Sequence, residues 1–380
     1  MNLSEYIPTE PIALYVHVPF CATKCDYCSF YSTCPPAEEV TDRTVDATVG
    51  QAHELLARLG GPRVRTIYIG GGTPSVLAPR VFSRLATGVL NATGQQSVEE
   101  WTVEANPESI SAAWVSVLAD LPVTRVSVGV QSFSAPAREA IGRAGSEGAI
   151  LHAVEALRRG GLESIGIDLI AGIPGQTPKD IVSDVERAVA LGADHVSLYT
   201  LSVEPGTPFS GRVARGEVEL PPDEAVVDGV DAARRRLAAA GIYRYEVSNY
   251  ARPGRECRHN DAYWLLEPSV GVGPSAVSTL PGRDGTALRL TTDAEAELVP
   301  RRSFLLEHFM MGLRRAGGLP PGRIVERFGA GPADFVPRTV ARWERAGLLR
   351  RSGERLVMNG EGMWHLDGLL SEIAAELTPT

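Results

Sequence analysis

Three cysteines, Cys21, Cys25 and Cys28, crowd into the run Val18-Pro-Phe-Cys-Ala-Thr-Lys-Cys-Asp-Tyr-Cys-Ser-Phe30. A Cys-x-x-x-Cys-x-x-Cys loop can set three thiolates around one face of a [4Fe–4S] cube and leave the fourth iron open to a small molecule. The competing reading is structural zinc, which usually takes four closed ligands in paired half-motifs. Only Cys34 and His17 are spare ligands near this loop. A disulfide scaffold is less suited to a chain of 380 residues, long enough to bury a large core without covalent staples and opening on no apolar signal segment. The thiols are expected to be reduced and the compartment cytoplasmic.

Other residues able to do chemistry recur at intervals. Gly70-Gly-Gly-Thr-Pro74 is a turn whose backbone can approach a ligand closely, although a tight strand-to-helix connection uses glycine equally well. Glu104-Ala-Asn-Pro107 offers a carboxylate, Gln131 an amide and Asp168 a second carboxylate. Each could simply close the mouth of a barrel.

The elements that must position them are legible as β-rich runs: Ala13 to Val18, Thr66 to Ile69, Trp101 to Glu104, Val126 to Val130, Ser164 to Ile170 and Val196 to Leu201. Amphipathic stretches lie between and after them, at Thr41 to Leu59, Pro79 to Leu90, Glu147 to Arg159, Lys179 to Leu191 and Asp223 to Ala240. Alternating strand and helix predicts an α/β protein with a parallel sheet, curled into a full or partial barrel. In such architectures chemistry gathers at the carboxyl ends of the strands, where the cysteines, the glycine turn, Glu104 and Gln131 all fall.

Composition excludes several classes. With 44% hydrophobic and 22% charged residues the chain is globular rather than disordered. A net charge of −9 argues against a nucleic-acid partner. No window approaches the roughly 18 uninterrupted apolar residues of a membrane span, so an integral membrane protein is not expected. The Arg234-Arg-Arg236 run reads as a solvated helix face.

The cysteine spacing, the Gly-Gly-Gly-Thr-Pro turn and the β/α repeat resemble a radical S-adenosylmethionine protein. More narrowly, Tyr15-Val-His-Val-Pro-Phe-Cys21, Val103-Glu-Ala-Asn-Pro-Glu108, Gly129-Val-Gln-Ser-Phe133 and Asp168-Leu-Ile-Ala-Gly-Ile-Pro174 resemble the oxygen-independent coproporphyrinogen III oxidase group. The resemblance implies a partial (β/α)6 barrel whose Cys21, Cys25 and Cys28 ligate a [4Fe–4S] cluster fed by an electron donor. It also implies S-adenosylmethionine contacts from Tyr15, Tyr27, Gly71, Gly72, Thr73, Glu104, Gln131, Arg143 and Asp168. Glycine backbone suits the methionine moiety, Asp168 the ribose hydroxyls and Arg143 a charged group.

Within that group two departures resemble the haem chaperone branch of HemW type. The oxidases carry a further cysteine where this chain has Phe30, and they begin with a longer segment than the dozen or so residues here. The stretch Cys257-Arg-His-Asn-Asp-Ala-Tyr-Trp264 holds the His-Asn-x-x-Tyr-Trp signature of that branch. His259 is the preferred axial ligand for haem iron, flanked by Tyr263 and Trp264 as flat surfaces, with Cys257 as a second possible ligand. Without the signature, a buried hydrogen-bonded histidine and two core aromatics would be the commoner reading. Where the branch has Gly-Ala-His this chain has Ser275-Ala276-Val277, so that histidine's contacts do not carry over. The resemblance implies a carrier that binds haem and hands it to an acceptor protein. The alternative is a radical decarboxylase acting on coproporphyrinogen III.

The repeat is expected to occupy residues 1–290. Beyond it the pattern turns helical, at Arg302 to Arg315, Ile324 to Phe328 and Thr339 to Ala346, followed by a hairpin-like Leu348 to Met358. Residues 291–380 are therefore expected to form an α+β, winged-helix-like domain. Arg342, Arg345, Arg350 and Arg351 are interrupted by Glu344 and Glu354 and read as solvated surface.

Overall fold

The computed structural model describes residues 3–35, 37–95, 97–292, 295–360 and 362–377. Six parallel strands run in sequence order: β1 Ile12–Val18, β2 Val64–Gly71, β3 Glu100–Ala105, β4 Arg125–Gln131, β5 Ser164–Ala171 and β6 His195–Thr200. The helices that follow them are α1 Glu38–Arg58, α2 Pro79–Ala92, α3 Ala112–Ala119, α4 Ala135–Ala140, α5 Glu147–Arg159, α6 Pro178–Ala190, α7 Pro208–Ala214 and α8 Asp223–Ala239. Every strand and helix expected in the repeat is present.

Local chemistry sets the boundaries. Pro79, Pro178 and Pro208 open their helices, where the missing N–H is one the helix would leave unbonded. Ser111 and Ser146 accept from Trp114 and Ala149 backbone N–H groups to start α3 and α5. The strands are buried on both faces, one against the helices and one toward the barrel axis, as parallel sheets require. Ile12, Leu14, Val16, Ile67, Ile69, Trp101, Val103, Val126, Val128, Ile165 and Ile167 form the main core with Phe82, Leu85, Trp114 and Leu157 from the helices.

The sheet does not end at six strands. Beyond β6 lie antiparallel β7 Tyr243–Arg244 and β8 Asn249–Ala251, then α9 Arg258–Trp264. At the other edge β9 Ser269–Val272 runs parallel to β1 and leads into the antiparallel meander β10 Val277–Pro281, β11 Ala287–Thr291 and β12 Ala296–Val299. The twelve-stranded sheet thus passes the expected boundary at 290 and ends at Val299. These edge strands are only two to five residues long and carry none of the long apolar runs of β1–β6.

A second core joins Leu266, Ala287 and Val299 to α10 Arg301–Gly312, α11 Pro321–Phe328, α12 Pro332–Phe335, α13 Pro337–Arg345, the hairpin β13 Leu349–Ser352 with β14 Arg355–Met358, and α14 Leu366–Glu376. Its arginines are partly paired, Arg342 with Glu372 and Arg351 with Glu344. The helical unit is tied to the barrel by Asp261, whose two carboxylate oxygens take both arms of Arg315 at 2.8 and 3.0 Å, and by Glu267 between Arg65 and Arg323. Among the described residues no helix is long and apolar enough to cross a membrane.

Candidate functional site

A chamber of about 400 Å³ opens at the carboxyl ends of β1–β6 and runs down the barrel axis. Its rim is the loop after β1. Cys21 N–H donates to Thr33 O at 3.0 Å, and His17 Nε2–H donates to Tyr31 O at 2.9 Å while His17 Nδ1 accepts from the Tyr15 hydroxyl at 3.0 Å. The middle of the loop is held from the opposite side: Asp26 N–H donates to Ile141 O, its carbonyl accepts from Phe209 N–H, and its carboxylate pairs with Arg212 at 2.9 Å. Tyr27 packs against a small apolar cluster of Ile141, Ile170, Ile173 and Phe209. Clamped at both ends and in the middle, the loop presents Cys21, Cys25 and Cys28 to the chamber as free, half-buried thiols.

The glycine turn fits under this loop. Gly72 N–H donates to Val18 O and Thr73 N–H to Phe20 O, at 2.8 and 2.6 Å. A Cβ on Gly72 would lie 2.5 Å from Phe20 O, and one on Gly71 would lie 2.3 Å from the His17 ring. Gly71 also sits at φ +103°, a region that glycine alone enters freely. The Thr73 hydroxyl donates to Cys21 Sγ at 3.5 Å and accepts from Asn106 Nδ2 at 3.1 Å.

Two carboxylates face the chamber with different partners. Glu104 accepts from the Tyr68 hydroxyl at 2.6 Å and from Gly71 N–H at 3.0 Å; burial pushes it up to about 7 in spite of those donors. Asp168 is also raised by burial, against the opposing pull of the Ser197 and Ser127 hydroxyls that donate to it at 2.6 and 3.0 Å. Arg143, 7% exposed, donates to Gly129 O at 2.6 Å and faces Glu108 at 3.4 Å. The same guanidinium hydrogen-bonds Cys25, whose thiol burial raises and Arg143 lowers. Gln131 lies at φ +69°, where the pairing of β4 with β5 slips by one residue between Gly129 and Gln131. Gln131 continues the inward series of Arg125, Ser127 and Gly129 along β4 and reaches the chamber wall.

Of the residues singled out by sequence, Cys21, Cys25, Cys28, Tyr27, Gly71, Gly72, Thr73, Glu104, Gln131, Arg143 and Asp168 line this one chamber. Tyr15 does not. It stands behind Tyr68, ring centroids 6.1 Å apart, and reaches the loop only through His17. Tyr68 takes the wall position instead, because it is the residue of β2 that hydrogen-bonds Glu104. The sequence reading also passed over Asn106, Ser127 and Ser197, although polar residues two positions apart on an otherwise apolar strand mark an inward face.

His259, Tyr263 and Trp264 are not arranged as an open porphyrin face. The His259 ring is 2% exposed between Tyr68 and Tyr263, at centroid distances of 5.0 and 5.2 Å, with Nδ1 against Thr66 Oγ1 at 2.9 Å and Nε2 without a partner among the described residues. Burial, with Arg65 nearby, lowers it to about 3, so the ring is neutral. Tyr263 bonds Ser269 and Trp264 bonds Glu246. The cause is α9, which plugs the barrel from below: Glu100 accepts from Arg258 N–H, His259 N–H and the Cys257 thiol, seating the first turn on β3. From that segment Cys257 and Asn260 reach the chamber.

The donor set fits an iron–sulfur cube better than zinc. Three thiols share one wall, and among the described residues no three Cys, His, Asp or Glu side chains converge as ligands of a single metal ion. Cys34, the spare thiol near the loop, is exposed.

Comparison with known proteins follows the same division. Residues 15–188 match the family model of the Radical SAM superfamily, and residues 299–365 match the HemN C-terminal domain. The chain is 36% identical to heme chaperone HemW of Lactococcus lactis, over 84% of each chain. It is 35% identical to heme chaperone HemW of Mycobacterium tuberculosis, over 96% of this chain and 95% of that one. Among solved structures, coproporphyrinogen III oxidase HemN of Escherichia coli, a radical SAM enzyme, superposes with a TM-score of 0.80 at 21% identity, covering 98% of this chain and 92% of that one. That likeness establishes the fold.

Proposed function

Because the chain belongs to the HemW family of radical S-adenosylmethionine proteins, we propose that it is a haem chaperone, carrying haem to an acceptor protein. The observation that carries this reading is its identity to HemW relatives across nearly the whole chain. Phe30 supports it, since this 68% exposed aromatic stands at the chamber rim where the oxidases have a cysteine.

In this proposal Cys21, Cys25 and Cys28 hold a [4Fe–4S] cluster, and the chamber below holds S-adenosylmethionine. Bound there, the cluster would supply one-electron reducing chemistry toward the sulfonium, and the residues of this chain would supply placement. Gly71 and Gly72 expose backbone to the methionine moiety, Arg143 offers a guanidinium beside Cys25, and Asp168 offers a carboxylate whose two serine partners fix its orientation. An electron donor for the cluster and a cytoplasmic location belong to the same reading.

Glu104 gives this binding a pH signature. A carboxyl raised to about 7 is half protonated near neutrality, and a ligand hydroxyl or ammonium placed against it favours the ionised form. Affinity for S-adenosylmethionine is therefore expected to strengthen as pH rises from 6 to 8, and to stay flat over that range in Glu104→Gln. Calorimetric titration at several pH values measures this; an equal slope in both proteins removes Glu104 from the ligand contacts.

For the cargo, His259 is proposed as the axial ligand through Nε2. Its Nδ1 is already oriented by Thr66, as second-shell partners orient metal-bound histidines. A ring this buried can meet haem only if α9 lifts from the barrel, which the Asp261–Arg315 pair opposes.

The test is anaerobic. Reconstituted protein is expected to give a saturable Soret shift with haem and, supplied with S-adenosylmethionine, reductant and coproporphyrinogen III, no protoporphyrinogen. His259→Ala should weaken haem binding at least tenfold while leaving the cluster absorbance unchanged. Robust decarboxylation would replace the chaperone reading with the oxidase one, and an unaltered haem titration in His259→Ala would remove the axial assignment.

A further inference from the structure

The three cysteine sulfurs of the loop meet three different donors. Cys25 hydrogen-bonds the Arg143 guanidinium and Cys28 the Phe30 backbone. Cys21 Sγ takes the Thr73 hydroxyl at 3.5 Å, and Thr73 is 3% exposed, so bulk water has little access to that proton. Of the three donors, only this hydroxyl can be deleted without changing charge or backbone.

The local structure around Thr73 is unusual in what its side chain leaves undone. Thr73 stands immediately before Pro74 and opens the turn Pro74–Val76, the N-cap place where a threonine oxygen ordinarily accepts from its own turn. Thr207, before Pro208, does so by accepting from Ser210 N–H. Thr73 makes no such bond. Asn106, at the same place before Pro107, also leaves its own turn uncapped and donates from Nδ2 to Thr73 Oγ1 at 3.1 Å. Two N-cap side chains thus forgo their local bonds and point in series at one sulfur.

Asn106 is held for this at both backbone groups. Its N–H donates to Ser75 Oγ at 3.1 Å, its carbonyl accepts from Ser109 Oγ at 3.0 Å, and the two serine oxygens are 2.6 Å apart. The direction of the relay follows from its end. A thiolate bound to iron carries no proton and only accepts. Thr73 therefore gives its single proton to sulfur, which leaves its oxygen to accept from the Asn106 amide.

We propose that Thr73, oriented by Asn106, is a positioning residue for the cluster: its hydroxyl donates to Cys21 Sγ and raises the affinity of the cluster for an electron. Hydrogen bonds to cluster sulfurs are among the levers by which a protein sets the potential. Reduction adds one electron, supplied by the external donor, and part of the added negative charge falls on the thiolates. A donor at Cys21 Sγ stabilises that charge more than it stabilises the oxidised state. The inference rests on the cluster reading of Cys21, Cys25 and Cys28.

The experiment uses the full chain, reconstituted anaerobically and poised with dithionite and redox dyes, with the paramagnetic resonance of the reduced cluster as readout. Thr73→Val keeps the branched shape and breaks no cap. It should disfavour reduction at least threefold, a midpoint about 28 mV more negative at about 59 mV per tenfold for one electron. Thr73→Ser should restore the wild-type midpoint. Electron–nuclear double resonance in water and deuterium oxide should show an exchangeable proton coupled to the cluster in wild type and Thr73→Ser, absent in Thr73→Val. It should be absent in Asn106→Asp as well, because a carboxylate only accepts and draws the Thr73 proton away from sulfur. If Thr73→Val fails to hold iron, Asn106→Asp carries the same test through that coupling. Equal midpoints in wild type and Thr73→Val, no recovery in Thr73→Ser, or persistence of the coupling in Asn106→Asp would each overturn this inference alone. Wild-type protein without cubane iron and sulfide would overturn the cluster reading and this inference with it, an outcome seen before any midpoint is measured.

Discussion

Replacing Cys25 by alanine is expected to abolish the cluster while leaving the barrel folded. Cys25 is the middle member of the trio and the one facing Arg143, so its loss removes one of three protein ligands and no other thiol can step in. Cys34 is exposed, with its sulfur only within 3.9 Å of Ala22 O, and Cys257 lies at the chamber floor bonded to Glu100. Two thiolates leave two irons of the cube without protein ligands, which such centres do not survive. Iron and sulfide contents of anaerobically reconstituted Cys25→Ala should fall to background, and the Mössbauer signal of a cubane should vanish. The fold should barely respond, since a half-buried small side chain typically contributes about 1 kcal/mol or less. Cys34→Ala is the counterpart and should keep full iron content. If Cys34→Ala loses the cluster or Cys25→Ala retains it, the ligand trio is wrongly chosen.

Gly71→Ala should produce the second large effect, on stability and cluster retention together. Two independent penalties coincide there. An alanine at φ +103° occupies strained backbone, at roughly 1–3 kcal/mol, and its methyl would overlap the His17 ring, which is pinned between Tyr15 and Tyr31, for roughly 1–3 kcal/mol more. The expected loss is about 2–6 kcal/mol in chemical denaturation. Because His17 relieves the clash only by releasing Tyr31 O, the cysteine loop should loosen and iron retention should drop. Gly61→Ala separates the two penalties: Gly61 also has positive φ, at +67°, but nothing lies within 4 Å of an added Cβ. Its cost should be about 1 kcal/mol with iron content unchanged. Equal losses in the two variants would mean that the close approach of turn and loop contributes nothing.

The β/α repeat was open to sequence reading because its signals are local. Strands buried on both faces are continuous apolar runs, and the intervening helices carry their own starts in Pro79, Pro178, Ser146 and the Thr177–Asp180 capping box. The edges of the sheet were not open in the same way. β9 through β12 are short, and β9 pairs with β1 some 250 residues away in the chain. A three-to-five-residue strand is stabilised by the neighbour it finds, and that neighbour leaves no mark on its own composition. The sheet runs past residue 290 to Val299 for this reason.

What the amino-acid sequence determined by itself is the chemistry available: three thiols on one loop, a glycine turn that admits no side chain, and carboxylates at strand ends. Those follow from residue type and spacing. Only the tertiary structure decided which side chains face one another. It put Tyr68 rather than Tyr15 on the chamber wall, and buried His259 beneath the floor while Asn260, one residue on, reached the cavity. Inward and outward are set by strand pairing and by how α9 seats on Glu100, contacts between residues far apart in the chain. A motif specifies its atoms, but the direction in which they point is fixed by the packing of everything around it.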